Sequence, residues 1–97
     1  MRPRDAERDV VITGIGVLSP IGESVTELLS HLLANRSGIR LLQHERLARA
    51  VPAGIVQRDF TDQFTKAELP YLDRCSQLAL LAARAALQDA GFEQFEE

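Results

Sequence analysis

One thiol, two imidazoles and a pair of glycines are the residues of this chain with chemistry to offer. Cys75 is the only cysteine among 97 residues. An active thiolate needs a neighbouring base or a helix N-terminus to hold its charge. Asp73 and Arg74 precede it and place it in the first turn of a predicted helix, but no His lies near it in sequence. It falls on a stripe of alanines, so the expectation is a packed, inert thiol. His31, His44 and Cys75 do not match any metal-ligand spacing, and neither a metal nor another cofactor is expected. His31 falls on the polar side of a predicted helix and His44 lies between Gln43 and Glu45, so both are expected to be solvated. Gly14-x-Gly16 after an apolar run invites a dinucleotide-binding reading. The fingerprint needs a third glycine where Ser19 stands, and the next helix starts late, near Ser24. The glycines are instead expected to let the backbone turn and pack closely, and a small nucleotide-binding domain is the third functional reading. No Ser sits in a Gly-x-Ser-x-Gly elbow, and Asp59, Asp62 and Glu68 read as solubilising charge. On its own residues the chain contains no active site.

The elements that would position these groups are legible in part. Val10-Val-Ile-Thr-Gly-Ile-Gly-Val-Leu18 is a near-continuous, β-branched apolar run, the pattern of a strand covered on both faces. Ser19-Pro-Ile-Gly22 signals a turn. Ser24-Val-Thr-Glu27 fits a capping box. Behind it Val25, Leu28, Leu29, Leu32 and Leu33 repeat at the spacing of one buried helix face, with Asn35 or Gly38 to stop it. Ile39–Leu42 reads as a short extended piece and Val51–Val56 as a second strand interrupted by Pro52 and Gly54. Residues 57–70 read as a loop with a turn or two of helix, ended by Pro70. A strand, a helix, a strand and another helix imply an α/β protein.

The most informative segment is Asp73–Ala90, closed by Gly91 as a left-handed cap and the apolar Phe92. At 100° per residue, Cys75, Ala79, Ala82, Ala83, Ala86 and Ala90 form a stripe of small side chains. Leucines flank it on both sides, and Gln77, Arg84 and Gln88 make the only substantial polar strip. A helix apolar nearly all round is expected to be buried inside something large. The chain offers too little to cover it, so these residues are expected to belong to a larger protein or an obligate assembly.

Composition sets the outer bounds. With 45% hydrophobic and 26% charged residues, the chain is neither a disordered tail nor a disulfide scaffold. Its 11 basic and 14 acidic residues are interspersed, and no patch that would bind nucleic acid stands out. A single cysteine fits a reducing cytoplasm. No stretch approaches the ~20 apolar residues that span a bilayer. The basic start carries Asp5, Glu7 and Asp9, unlike a signal peptide. Residues 1–8 read as a solvated lead-in and 9–97 as an incomplete domain.

In their order and spacing, five blocks resemble the N-terminal end of the β-ketoacyl-acyl carrier protein synthases, the elongating condensing enzymes of the thiolase-like fold. The blocks are Val10 to Gly22, Arg36-Ser-Gly-Ile39, Ala53-Gly-Ile-Val56, Leu72-Asp-Arg-Cys-Ser-Gln-Leu-Ala-Leu80 and Ala86-Leu-Gln-Asp-Ala-Gly91. The resemblance implies the partial first half of a five-layer αβαβα fold, in which Asp73–Ala90 lies in the central helical layer. It implies a decarboxylating Claisen condensation between an acyl thioester and malonyl-acyl carrier protein, in fatty acid or polyketide-type biosynthesis. The family's catalytic Cys and two His would all lie downstream of the matched region, so the 97 residues alone are expected to be inactive. Acyl carrier protein is the implied partner, beside the rest of the fold or a homodimer or heterodimer partner. Many bacterial members dock the acidic carrier through basic residues just before the central helix. Here Lys66 is the only base in that stretch before Arg74, and these two are the expected carrier contacts. The rival reading is a non-catalytic partner subunit that keeps the fold and influences chain length.

Overall fold

A computed structural model describes residues 7–92; the first six residues of the predicted lead-in lie outside them. The elements run α1 (Val25–Leu33), β1 (Ile39–Leu42), β2 (Val51–Gly54), two 3₁₀ turns (Thr61–Gln63 and Leu69–Tyr71) and α2 (Arg74–Asp89). Both helices begin and end where local chemistry dictates. Ser24 caps α1 by accepting the Glu27 N–H at 3.1 Å, and Asp73 caps α2 by accepting the Ser76 N–H at 2.8 Å. At the other end Asn35 (φ 57°) and Gly91 (φ 93°) adopt the left-handed conformation. Asn35 and Arg36 donate to the Leu32 and His31 carbonyls, and Gly91 and Phe92 donate to those of Gln88 and Leu87. Each helix thus ends in a Schellman motif.

β1 and β2 form an antiparallel hairpin, with Ile39 opposite Gly54 and Leu42 opposite Val51. Pro52 is tolerated because the sheet has two strands and hence an edge that needs no N–H donor. Pro70 does not end the regular structure before it. It sits inside the second 3₁₀ turn, near the start, where a missing N–H costs nothing.

Residues 10–18 do not form the predicted strand. They pair with no other strand among the described residues, and Val10 and Ile12 are 96% and 85% exposed. A strand of this type is made by its neighbours, and the described residues supply none. One side is nonetheless packed. A Cβ on Gly14 would lie 2.7 Å from the Ala90 nitrogen, and one on Gly16 would lie 2.7 Å from the Ala86 nitrogen, with the Ala86 and Ala82 carbonyls closer still. Moving two residues along the segment therefore moves four back along α2. Those steps are each about 6–7 Å, so the segment runs extended and antiparallel on the helix. Asp89 fastens it by accepting the Ile15 N–H at 2.9 Å.

The expected burial of the two helices is also corrected. The leucine face of α1 is open, with Leu29 and Leu32 both more than half exposed. No residue of α2 is fully buried; the stripe is covered at Ala82, Ala86 and Ala90, while Cys75, Ala79 and Ala83 are exposed. Among the described residues the buried hydrophobic side chains are Phe60 and Phe64, both in the segment read as a loop. The accessible surface of 8569 Å² compares with about 5,500 Å² for a compact monomer of this mass. The radius of gyration, 17.8 Å, compares with about 12–13 Å. Large apolar side chains of α1 and of residues 10–15 lie open.

Candidate functional site

The segment from Val56 to Asp73 and the first half of α2 carry the two expected carrier contacts. Local capping builds the segment. Asp59 accepts the Thr61 N–H at 2.9 Å and starts the first 3₁₀ turn. Thr65 and Glu68 form a reciprocal capping box: Glu68 Oε1 accepts the Thr65 N–H at 3.0 Å, and Thr65 Oγ1 accepts the Glu68 N–H at 3.1 Å. These N–H donors hold the Asp59 and Glu68 carboxyls below their ordinary range, and Ser76 does the same to Asp73. Asp59 and Glu68 are therefore not merely solubilising charge. The signal for the box, Thr-x-x-Glu at 65–68, was present in the sequence.

The polar strip of α2 then fastens this segment. Gln77 donates to the Leu72 carbonyl at 3.3 Å. Arg84 meets Glu68 at 3.4 Å and stands 5.4 Å from the centre of the Phe64 ring. Arg74 donates from Nη2 to the carbonyls of Val56 and Arg58, at 2.5 and 2.6 Å. Phe60, 3% exposed, has two guanidinium groups near its ring, those of Arg58 and Arg74, each 5.2 Å from the centroid. Arg58 in turn pairs with Glu23 at 2.8 Å, which raises its pKa further and ties the segment to the turn before α1.

Lys66 and Arg74 thus have different surroundings. Both are exposed, but Lys66 lies on the turn inside the capping box, whereas the Arg74 guanidinium is engaged with the backbone of 56–58 and the Phe60 ring. The aromatic anchors were missed because Phe60 and Phe64 belong to no helical or strand period.

The remaining candidates lie apart from one another. Cys75 is exposed rather than packed, because nothing among the described residues covers that part of the small stripe. His31 is half-buried rather than solvated. Its Nδ1 meets the Ile21 carbonyl and its Nε2 meets the Arg36 guanidinium at 3.2 Å. A carbonyl only accepts and a guanidinium only donates, so both contacts suit the ring with its proton on Nδ1. His44 Nδ1 accepts the Arg46 N–H at 3.1 Å within its own turn. Among the described residues no three His, Cys, Asp or Glu side chains form a metal-holding group. Gly14 and Gly16 face the alanines of α2 rather than an open loop at the start of a helix, as the close-packing reading expects. No helix of the described residues is long and apolar enough to cross a membrane.

A glycine segment laid on an alanine-striped helix occupies three of the blocks on which the condensing-enzyme resemblance rests, and the capped segment fastened along the same helix lies between two of them. Residues 7–96 match the family described as beta-ketoacyl synthase, N-terminal domain. The chain belongs to that family and so carries part of a thiolase-like α/β fold. It is 35% identical over 95 residues to 3-oxoacyl-[acyl-carrier-protein] synthase 2 of Vibrio cholerae, covering 95% of this chain and 23% of that protein. It is 37% and 36% identical to the ketoacyl synthase beta and alpha subunits of the tetracenomycin polyketide synthase of Streptomyces glaucescens, covering 91% and 93% of this chain and 22% of each subunit. The chain spans less than a quarter of the length of these relatives.

Proposed function

We propose that this chain is the opening part of a 3-oxoacyl-acyl carrier protein synthase of fatty acid or polyketide-type biosynthesis, working in the cytoplasm. The reading is carried by the family match across residues 7–96, which includes every contact that holds residues 10–18 and 56–73 to α2. The reaction would be acyl transfer from a carrier thioester to a cysteine thiolate, releasing the carrier thiol. Malonyl-carrier protein then loses carbon dioxide, and the resulting carbanion attacks the acyl thioester and expels the cysteine thiolate. Backbone N–H donors would stabilise the oxyanion. On this reading the nucleophile and the two histidines come from polypeptide outside the 97 residues. What the 97 residues contribute is one face of the central layer and, through Lys66 and Arg74, part of the surface that meets the acidic carrier. Cys75 is not the nucleophile. The test is to incubate the 97-residue chain with a labelled acyl-carrier thioester and look for acyl transfer by intact mass. No transfer is expected; an acyl group on Cys75 would overturn the assignment.

A second reading is a non-catalytic partner subunit; the chain is about as similar to the beta subunit as to the alpha subunit of one polyketide synthase, 37% against 36%. The native polypeptide separates the two readings. Condensing activity from that polypeptide alone supports the enzyme, and activity only after adding a second subunit supports the partner.

A further inference from the structure

We propose that Arg74 is a positioning residue, a clasp that closes the loop of residues 61–73 and so sets the turn that carries Lys66; this rests on the carrier-docking reading above. The loop leaves the 56–60 strand of backbone and returns at the head of α2. Its two ends are joined by one guanidinium, which donates to the Val56 and Arg58 carbonyls and lies beside the Phe60 ring. Phe60 is the most buried hydrophobic side chain described, so the clasp grips a fixed point. Between the ends, the turn is shaped by the Thr65–Glu68 box and held to α2 by Arg84. Lys66 protrudes from that turn, and its place relative to α2 is therefore set by the closure. A residue acting only as exposed charge would not need two backbone acceptors and an aromatic face. Both carbonyls bond the outermost nitrogen, Nη2, while the flat guanidinium lies beside the ring; a lysine chain ends one bond short of Nη2 and carries no planar group.

The two roles separate in the native polypeptide that carries this sequence, compared as Arg74→Lys, Arg74→Ala and Lys66→Ala. Deuterium uptake over residues 56–60 and 65–69 reads the clasp without any carrier. The KM for acyl carrier protein at low and high salt reads the docking. Both Arg74 variants are expected to raise deuterium uptake in these segments. Both should also raise the carrier KM by similar factors, roughly tenfold, and Arg74→Lys, which keeps the charge, should keep the salt dependence of the wild type. Lys66→Ala is expected to flatten the salt dependence, because it removes a steering charge, and to leave deuterium uptake unchanged. An Arg74→Lys protein equal to wild type in both readouts, or an Arg74→Ala protein with unchanged deuterium uptake in these segments, would overturn the proposal. Should Arg74→Ala fail to fold, Arg74→Lys with Phe60→Leu tests the same closure. A wild type with no saturable dependence on the carrier removes the docking reading and the role given to the turn. The uptake data would still decide whether Arg74 closes the loop.

Discussion

Helix α2 is held on two sides by opposite means. On one, Gly14 and Gly16 lie so close to Ala82, Ala86 and Ala90 that no side chain fits between the two backbones. On the other, Arg74, Gln77 and Arg84 reach out to the loop, over two buried phenylalanine rings. The first contact is shape, pinned by one hydrogen bond from the Ile15 N–H to Asp89, and tolerates no added atom; the second is a set of directional bonds, each replaceable in part. The difference teaches that a helix nearly free of charge can still be fixed in a single orientation, if one face excludes side chains and another demands particular ones.

The largest effect should come from breaking the first side. Gly16→Val in the native polypeptide would drive a branched side chain into the α2 backbone. It is expected to cost about 4 kcal/mol or more, seen as a large fall in Tm or loss of folded protein. Phe60→Ala strikes the second side and should cost about 3 kcal/mol, through a lost ring and the cavity left behind. Were the order of these two reversed, the polar side would be the main anchor. Asp89→Ala removes the acceptor for the Ile15 N–H and should cost about 1 kcal/mol by denaturant titration. The smallest effect is that of acid. The Asp59, Glu68 and Asp73 carboxyls are held below their ordinary range by N–H donors, so their caps are fully present at neutral pH. Their contribution should begin to fade below about pH 4, where unfolded carboxyls protonate, and vanish below their lowered folded values. A Tm profile from pH 7 to 2 would show this, and Glu68→Gln should reduce the acid-dependent loss.

What was legible in the sequence follows the range of the forces involved. The helix limits rest on residues a few positions apart, and Ser24, Asn35, Asp73 and Gly91 all cap as their types predict. The positions of the two strands were readable from Ile39–Leu42 and Val51–Val56, whereas their antiparallel pairing was not. Residues 10–18 read as a strand, but pairing is a property of neighbours and not of the run itself. Phe60 and Phe64 were invisible as core because they sit in irregular backbone, where no period marks the inward face. Lys66 and Arg74 were legible as bases before the second helix, while the two backbone acceptors of Arg74 come from residues 16 and 18 positions away.

The glycine pair has a consequence for how residues 10–18 find their place. Two residues of extended chain and four of helix advance by nearly the same length, about 6–7 Å and 6 Å. By spacing alone, the segment could slide along α2 in such steps, because Ala82, Ala86 and Ala90 repeat at the same interval. Only Gly14 and Gly16 lack a side chain. A slide by one step in either direction would bring Ile12 or Leu18 onto the alanines. The pair works as a vernier: two blank marks on one scale against evenly ruled marks on the other coincide at one setting. An insertion of a single residue between Gly14 and Gly16 would leave no setting at which both coincide.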